Sequence, residues 1–154
     1  MLSGVLRVSK IYNPFATARP RNTLSIPTNI LLNSNLLVGK ILDYGCGYGF
    51  DTQFLKVKGF NINGYDKYNE LYNKPYLLED AYDTIICNYV FNVIDLKEHN
   101  KLLNKLKQLS NNIYISVRSD NNSIKNNWKY IKSDDYWLTP KGTYQRFYTE
   151  EMIN

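Results

Sequence analysis

The chain is poor in the residues that build disulfide frameworks and metal sites. Its 154 residues include two cysteines, Cys46 and Cys87, and one histidine, His99. Two cysteines cannot form a disulfide framework, and together with one histidine they make no ligand set for a structural zinc. We therefore expect no bound metal and a reducing, cytoplasmic setting.

Long apolar runs are also missing. Asn, Lys or Asp interrupts each run well before the roughly 18–20 residues that a membrane-spanning helix needs, so we expect no membrane segment. The start of the chain has no apolar stretch of the kind found in a secretory signal. With 8 glycines, 5 prolines and 44% hydrophobic residues, disorder and collagen-like repeats are excluded, and the length fits one globular domain.

Acidic residues are absent from residues 1–42, although the whole chain has 14 of them against 19 basic residues. We predict a basic arm over residues 1–24, followed by a single domain over residues 25–154. Such an arm packs on its domain or contacts a polyanion such as a nucleic acid. A transit peptide has similar composition, but three prolines interrupt any long amphipathic helix here. The basic residues before position 43 are Arg7, Lys10, Arg19, Arg21 and Lys40.

Strand-like and helix-like segments alternate from Lys40 onward, which is typical of an α/β fold with a doubly wound, mostly parallel sheet. The strand-like segments are Lys40–Tyr44, Phe60–Tyr65, Tyr82–Tyr89 and Asn112–Val117. Helices are predicted over Ser25–Leu37, Phe50–Lys58 and Leu96–Leu109. Ser25 and Asp95 are placed to begin two of these helices. The first helix is expected to bury Ile30, Leu31, Leu36 and Leu37.

A glycine-rich turn joins the first of these strands to a helix. Gly45, Gly47 and Gly49 follow the strand that contains Asp43. Glycines let the backbone adopt a positive φ and let a ligand approach closely. The spacing differs from the dinucleotide motif Gly-x-Gly-x-x-Gly, whose third glycine would fall on Phe50. Asp43 would repel a pyrophosphate, so the pattern favours a ligand with an ammonium group.

Asp66 lies where doubly wound folds place an acidic residue that binds a ribose. It closes the second predicted strand and lies 17 positions after Gly49. In doubly wound folds, an acidic residue at about this distance from the glycines accepts hydrogen bonds from ribose hydroxyls. For Asp66 taken alone, the alternative to a ribose contact is a structural role as a turn residue at the end of a strand.

Together these residues resemble the cofactor motif of class I S-adenosylmethionine-dependent methyltransferases, over about residues 25–117. More narrowly, the chain is similar to the DNA phosphorothioation-associated methyltransferases, whose substrate is uncertain. The segments that carry the narrower similarity are Leu42–Gly47 with Gly49 and Asp51, Lys58–Phe60, Gly64–Asp66 and Asn88–Ile94.

The resemblance implies S-adenosyl-L-methionine as the cofactor and a Rossmann-like domain that holds it. The implied binding residues are Asp43, Gly45, Cys46, Gly47, Gly49, Asp66, Lys67, Asn88 and Tyr89. Asp66 would hold the ribose, Asn88 the methionine amine, and Tyr65, Lys67 and Tyr68 would border the adenosine. The acid near the adenine amine would be Glu79 or Asp80. Candidate bases are Tyr89, Tyr144 and His99, although a packed structural role is favoured for His99.

Two departures from the family pattern leave the function open. The proline-containing motif of nucleic-acid amino-methyltransferases is absent after Asn88, which argues against that mechanism. The chain also predicts a truncated core of about five strands, whose open edge either residues 128–148 or a second copy of the chain would cover. Of these two covers, we favour the second copy, which predicts a homodimer. The aromatic residues of the tail, residues 128–148, favour a small accessory core over a platform on which a base or another planar substrate stacks.

We predict a methyltransferase whose acceptor is a nucleic acid or a small molecule. One alternative is a non-catalytic S-adenosylmethionine-binding module or a subunit of a larger methyltransferase. The other is a binder of a different nucleotide on the same fold.

Overall fold

A four-stranded parallel sheet forms the centre of the protein, which confirms the predicted α/β fold. The computed structural model describes residues 14–119 and 124–153. Its strands follow the order β2-β1-β3-β4, and every neighbouring pair is parallel. Their bounds are Lys40–Tyr44 for β1, Asn61–Tyr65 for β2, Thr84–Asn88 for β3 and Ile113–Ser116 for β4.

Helices cover both faces of this sheet, as a parallel sheet with two apolar faces requires. On one face α1 and α2 pack through Leu31 and Leu55 against Ile62 and Ile86. On the other face α3 packs through Leu106 and its neighbours against β1 and β3. The helices are α1 Ile26–Asn33, α2 Phe50–Val57 and α3 Leu96–Leu109. Of the described helices, none is both long and apolar enough to cross a membrane.

Capping residues start two helices where the sequence predicts them. Asp95 accepts a hydrogen bond from the Lys97 amide at 3.0 Å, and α3 has the predicted bounds. Ser25 caps α1, but this helix ends at Asn33 and not at Leu37. Leu31 and Leu37 are buried as predicted, whereas the burial predicted for Ile30 and Leu36 is wrong. The early end of the helix takes Leu36 out of the helical periodicity.

The truncated core was predicted to have about five strands, and the parallel sheet has four; residues 75–79 form a short 3-10 helix. Glu79 at the end of this helix and Asp80 directly after it are the two acids that were assigned to an adenine. Asp80 instead pairs with Lys40 at the amino end of β1, and Glu79 is exposed. A five-residue strand separates that end from the carboxyl edge where ligands bind in such sheets, so the Asp80 assignment is wrong.

A second, small sheet contains the aromatic residues of the tail. Its antiparallel strands are β5 Lys129–Ile131, β6 Tyr136–Leu138 and β7 Tyr144–Gln145, and a short helix, α4 Glu150–Ile153, follows. The rings of Tyr130 and Trp137 lie 5.0 Å apart, and those of Tyr136 and Tyr144 lie 4.3 Å apart. These packed rings are what the accessory-core interpretation predicts. The sequence also indicates a further strand over Tyr144–Tyr148, and the strand found there, β7, belongs to this small sheet.

Asn92 fastens the small sheet to the end of β4. Its fully buried amide donates to the backbone oxygens of Arg118 at 3.3 Å and Arg146 at 2.5 Å. Its Oδ1 accepts from the Arg118 amide at 3.0 Å. The tail thus meets the parallel sheet at its carboxyl edge. Within the described residues, no strand pairs with the outer side of β4.

Candidate functional site

A cavity of about 1110 Å³ opens at the carboxyl edge of the parallel sheet. β1 has β2 on one side and β3 on the other, so the strand order changes direction at β1. Such a switch point is the usual ligand site of an open α/β sheet. Of the residues predicted to bind the cofactor, all but Gly49 border the cavity: Asp43, Gly45, Cys46, Gly47, Asp66, Lys67, Asn88 and Tyr89.

The glycine turn presents bare backbone to this cavity. Gly45 has a φ of +74° and Gly47 a φ of +58°, values that side-chain-bearing residues rarely adopt. A Cβ at Gly45 would overlap Val90, whereas one at Gly47 would meet, of the residues that the structure describes, only the Cβ of Ala18, at 3.4 Å. The turn is therefore tight at Gly45 and open at Gly47. Gly49 caps the amino end of α2.

Asp66 joins the end of β2 to the glycine turn. Its Oδ2 accepts from the Gly47 amide at 2.8 Å, and its Oδ1 accepts from the Tyr68 amide at 2.9 Å. The carboxylate is buried yet borders the cavity. Because each carboxylate oxygen has two lone-pair sites, both oxygens can accept a further bond from a ligand.

Asp43 is a buried carboxyl beneath the same turn. The Thr52 hydroxyl donates to its Oδ2 at 2.8 Å. Burial, followed by the nearby carboxylates of Asp51 and Asp66, raises the pKa of Asp43 to about 7. The hydrogen bond from Thr52 and the charge of Arg21 lower this pKa, but by less. A cation placed above the turn would favour the charged form of this group.

The side chain of Asn88 is already committed to the protein. Its amide donates to Thr28 Oγ1 at 2.8 Å and to Ser25 Oγ at 3.3 Å, and its Oδ1 accepts from the Ser116 hydroxyl at 2.8 Å. A ligand amine could reach only the remaining lone pair of Oδ1. The next residue, Tyr89, has a φ of +62° and borders the cavity.

Asp51 ties Arg21, in the segment predicted as a basic arm, to the site, a role that the sequence did not reveal. Its carboxylate accepts from the Ser25 amide at 2.9 Å, from the Ser25 hydroxyl and from Thr28 Oγ1 at 2.7 Å. Arg21 forms an ion pair with it at 3.7 Å. Residues 17–19 also border the cavity beside Gly47. Arg7 and Lys10 lie outside the described residues.

Tyr89 is the predicted base that borders the cavity, and the lining includes neither His99 nor Tyr144. His99 packs edge-on against Phe91, its Nδ1 lies 3.3 Å from the Tyr148 hydroxyl, and burial lowers its pKa. This is the packed structural role that the sequence favoured. Burial raises the pKa of Tyr144 to about 12. Burial also raises the pKa of both thiols, which disfavours Cys46 and Cys87 as nucleophiles.

Gln145 borders the cavity, although no sequence signal pointed to it. It lies on the two-residue strand β7, and its side chain is only 7% exposed. No hydrogen-bond donor among the described residues reaches its Oε1. Among the same residues, no group of three or more His, Cys, Asp or Glu side chains is arranged to hold a metal ion.

Comparison with known families gives one match that spans the fold and the cavity. A family model described as a methyltransferase domain matches residues 15–154. A search of curated proteins found no match.

Proposed function

The chain belongs to this methyltransferase domain family, and on that premise we propose that it transfers the methyl group of S-adenosylmethionine. One observation carries the proposal: the Gly47 backbone is open to a large cavity and is held there by the buried carboxylate of Asp66. A ligand with a ribose and an ammonium group matches this arrangement.

The residues at the cavity fit that cofactor. Asp66 offers lone pairs to ribose hydroxyls, and Asp43 offers negative charge below the turn. Tyr65 ends β2, Lys67 and Tyr68 follow it, and the two tyrosine rings provide flat, partly apolar walls for an adenine. Two carboxylates so close together would oppose the pyrophosphate of a dinucleotide, which supports S-adenosylmethionine over NAD.

Bound S-adenosylmethionine supplies a methyl group made electrophilic by its sulfonium, which leaves as a thioether with the electron pair of the broken bond. The protein then needs mainly to position an acceptor whose lone pair forms the new bond to carbon. Such positioning can lower a barrier by up to about 7–11 kcal/mol. Where the acceptor loses a proton, Tyr89 is the predicted base placed at the cavity to receive it.

Calorimetry tests the cofactor. We expect S-adenosylmethionine and S-adenosylhomocysteine to bind, and NAD and ATP to bind far more weakly. Tighter binding of NAD or ATP would contradict the proposal and favour a different nucleotide. Incubation with methyl-labelled donor and cell extract, DNA or RNA then tests transfer, and label in any acceptor identifies an enzyme.

A second candidate is a non-catalytic S-adenosylmethionine-binding module or a subunit of a larger methyltransferase. Its support is that neither His99 nor Tyr144 lines the cavity and that residues 88–91 contain no proline. Donor binding without transfer to any of these acceptors would favour this candidate.

We further propose the narrower kinship with DNA phosphorothioation-associated methyltransferases, on the motifs quoted above. Residues 25–154 are proposed as the binding domain and residues 1–24 as an arm available to a nucleic acid. A homodimer and a cytoplasmic setting remain proposals, the latter supported by the two unpaired cysteines.

A further inference from the structure

The methionine part of S-adenosylmethionine carries a carboxylate that has no partner among the residues assigned above. Its amine is assigned to Asn88 and to the negative charge of Asp43, and the carboxylate is bonded to the same carbon as that amine. The protein group that binds the carboxylate must therefore lie beside these residues. It should also be a cation, because three buried acids, Asp43, Asp51 and Asp66, border the cavity and repel a carboxylate.

A chain of contacts leads from the position of the amine to a cation near the start of the chain. The Asn88 amide donates to Thr28 Oγ1 at 2.8 Å, and this hydroxyl donates to Asp51 Oδ2 at 2.7 Å. Arg21 Nη1 lies 3.7 Å from the same Asp51 oxygen. Asn88, Asp51 and Arg21 all border the cavity. The Arg21 guanidinium therefore lies close to the position expected for the amine.

The ion pair with Asp51 positions Arg21 without using all of its donors. Asp51 is buried and is fixed by hydrogen bonds from Ser25 and Thr28, so its carboxylate is a firm anchor. The Arg21 side chain is 39% exposed and borders the cavity, so a ligand can reach it. A guanidinium has five N–H donors in a planar fork, which leaves donors for a carboxylate beside Asp51.

The other cations at the cavity lie elsewhere or are held less firmly. Lys67 follows β2 on the side proposed for the ribose, Lys101 lies on α3, on the face of the sheet opposite α1, and Arg118 follows β4. Arg19 is exposed and forms none of the ion pairs found within the described residues. Binding through a loose side chain costs conformational entropy that an anchored one has already lost. Arg21 is therefore the best placed of these cations.

We propose that Arg21, positioned by Asp51, binds the carboxylate of the methionine part of S-adenosylmethionine. This rests on the proposed function, because it assigns a protein group to the anionic part of that cofactor. Decarboxylated S-adenosylmethionine keeps the sulfonium, the amine and the adenosine and lacks this carboxylate alone. Arg21 therefore makes the site select the complete cofactor over its decarboxylated form.

Calorimetry with these two ligands tests the contact, in about 0.5 M sodium chloride to screen distant charges. The wild type should bind S-adenosylmethionine about tenfold more tightly than the decarboxylated form, which lacks the charge-assisted bonds to Arg21. In Arg21→Gln this affinity ratio should fall to about one. Arg21→Lys keeps the charge without the fork and should keep part of the ratio. Arg19→Gln, the matched control, removes the same charge from the same cavity wall and should keep the wild-type ratio.

The outcomes separate this inference from the proposed function. A ratio of one or below in the wild type, or a wild-type ratio in Arg21→Gln, would mean that Arg21 does not bind the carboxylate. An equal loss of the ratio in Arg19→Gln would attribute it to the general charge of the segment and would also contradict the inference. If neither ligand binds the wild type, the proposed function is wrong. Circular dichroism melting verifies folding, and if Arg21→Gln is unfolded, an unchanged ratio in Arg21→Lys overturns the inference.

Discussion

At the scale of single residues, Asp66 combines a structural and a ligand-binding task in one carboxylate. The sequence predicted only the second, a ribose contact. The structure adds that both oxygens accept backbone amides, one from the glycine turn and one from Tyr68. The residue that would recognise the ligand is thus also the residue that holds the turn in place.

We therefore expect Asp66→Ala to impair both tasks. Loss of a charged acceptor should weaken S-adenosylhomocysteine binding by about ten- to a hundredfold, and two amides without an acceptor should lower the free energy of unfolding by about 1–3 kcal/mol. Calorimetry and urea unfolding measure the two effects. Glu70→Ala, which removes an exposed carboxylate nearby, should change neither. Unchanged binding in Asp66→Ala would mean that the ribose lies elsewhere.

Asp43 makes the stability of the ligand-free protein depend on pH. Its pKa is about 7 in the folded protein against an ordinary value of 3.8. The folded state therefore binds this proton more tightly, so the stabilisation is complete below the ordinary value and is lost as pH rises through about 7. Over that interval the wild type should lose about 1.4 kcal/mol per pH unit relative to Asp43→Asn.

Urea unfolding of both proteins at pH 5, 6, 7 and 8 measures this difference. Asparagine keeps an acceptor for the Thr52 hydroxyl, so the variant should fold. Asp134→Asn, at an exposed position, should follow the wild-type profile. Parallel profiles of Asp43→Asn and the wild type would show that Asp43 is ionised throughout this range.

At the scale of elements, the buried side chain of Asn92 attaches the small sheet together with two backbone bonds and the Tyr148 hydroxyl. Asn92→Leu keeps a similar volume but leaves the Arg118 amide and the Arg146 oxygen without their Asn92 partner. We expect the free energy of unfolding to fall by about 2–4 kcal/mol. Trypsin should then cleave first in the tail, at Lys125, Lys129, Lys132 or Lys141, before the parallel sheet. Asn104→Ala, at an exposed position on α3, is the control, and trypsin should cleave it like the wild type. If trypsin also cleaves Asn92→Leu like the wild type, Asn92 does not attach the small sheet.

Elements with strong local signals could be predicted from the sequence, and those that depend on distant partners could not. The leucine periodicity of α3 and its Asp95 cap fixed both ends of that helix. Ile30 was assigned to the core by spacing alone, yet it is 57% exposed, because α1 is short and covers the sheet through Leu31. The tail strands of two and three residues are too short to show a periodicity.

The same distinction holds at the cavity. Asp43, Gly47 and Asp66 were identified because a strand, a turn and another strand place them in a recurring order. The partners of Asp51 come from residues 21, 25 and 28, and those of Asn88 from residues 25, 28 and 116. Such pairings arise only when the chain has folded, and Gln145 reaches the cavity in the same way.

At the scale of the whole molecule, the outer side of β4 offers backbone groups to another chain. The Asn112 and Ser116 oxygens accept from β3, so the alternate residue Ile115 directs its N–H and C=O outward. Within the described residues the tail meets β4 at its carboxyl end and does not pair along it. We propose this edge as the contact surface of the homodimer.

Light scattering should therefore find the mass of two chains for the wild type. Ile115→Pro removes the outward N–H without removing a bond to β3, and should give the mass of one chain. Ile30→Ser removes exposed apolar surface elsewhere and should leave the dimer intact. A wild type with the mass of one chain would show that the edge is tolerated unpaired.

The small sheet also determines what the protein's fluorescence reports. The chain has two tryptophans, Trp128 directly before β5 and Trp137 within β6, so neither belongs to the parallel sheet. Tryptophan emission therefore follows the tail alone, while far-ultraviolet circular dichroism follows mainly the helices around the parallel sheet. Superimposable denaturation curves from the two signals would mean that both sheets unfold as one cooperative unit. An emission change at lower urea would identify the tail as a separately melting part that opens the cavity first.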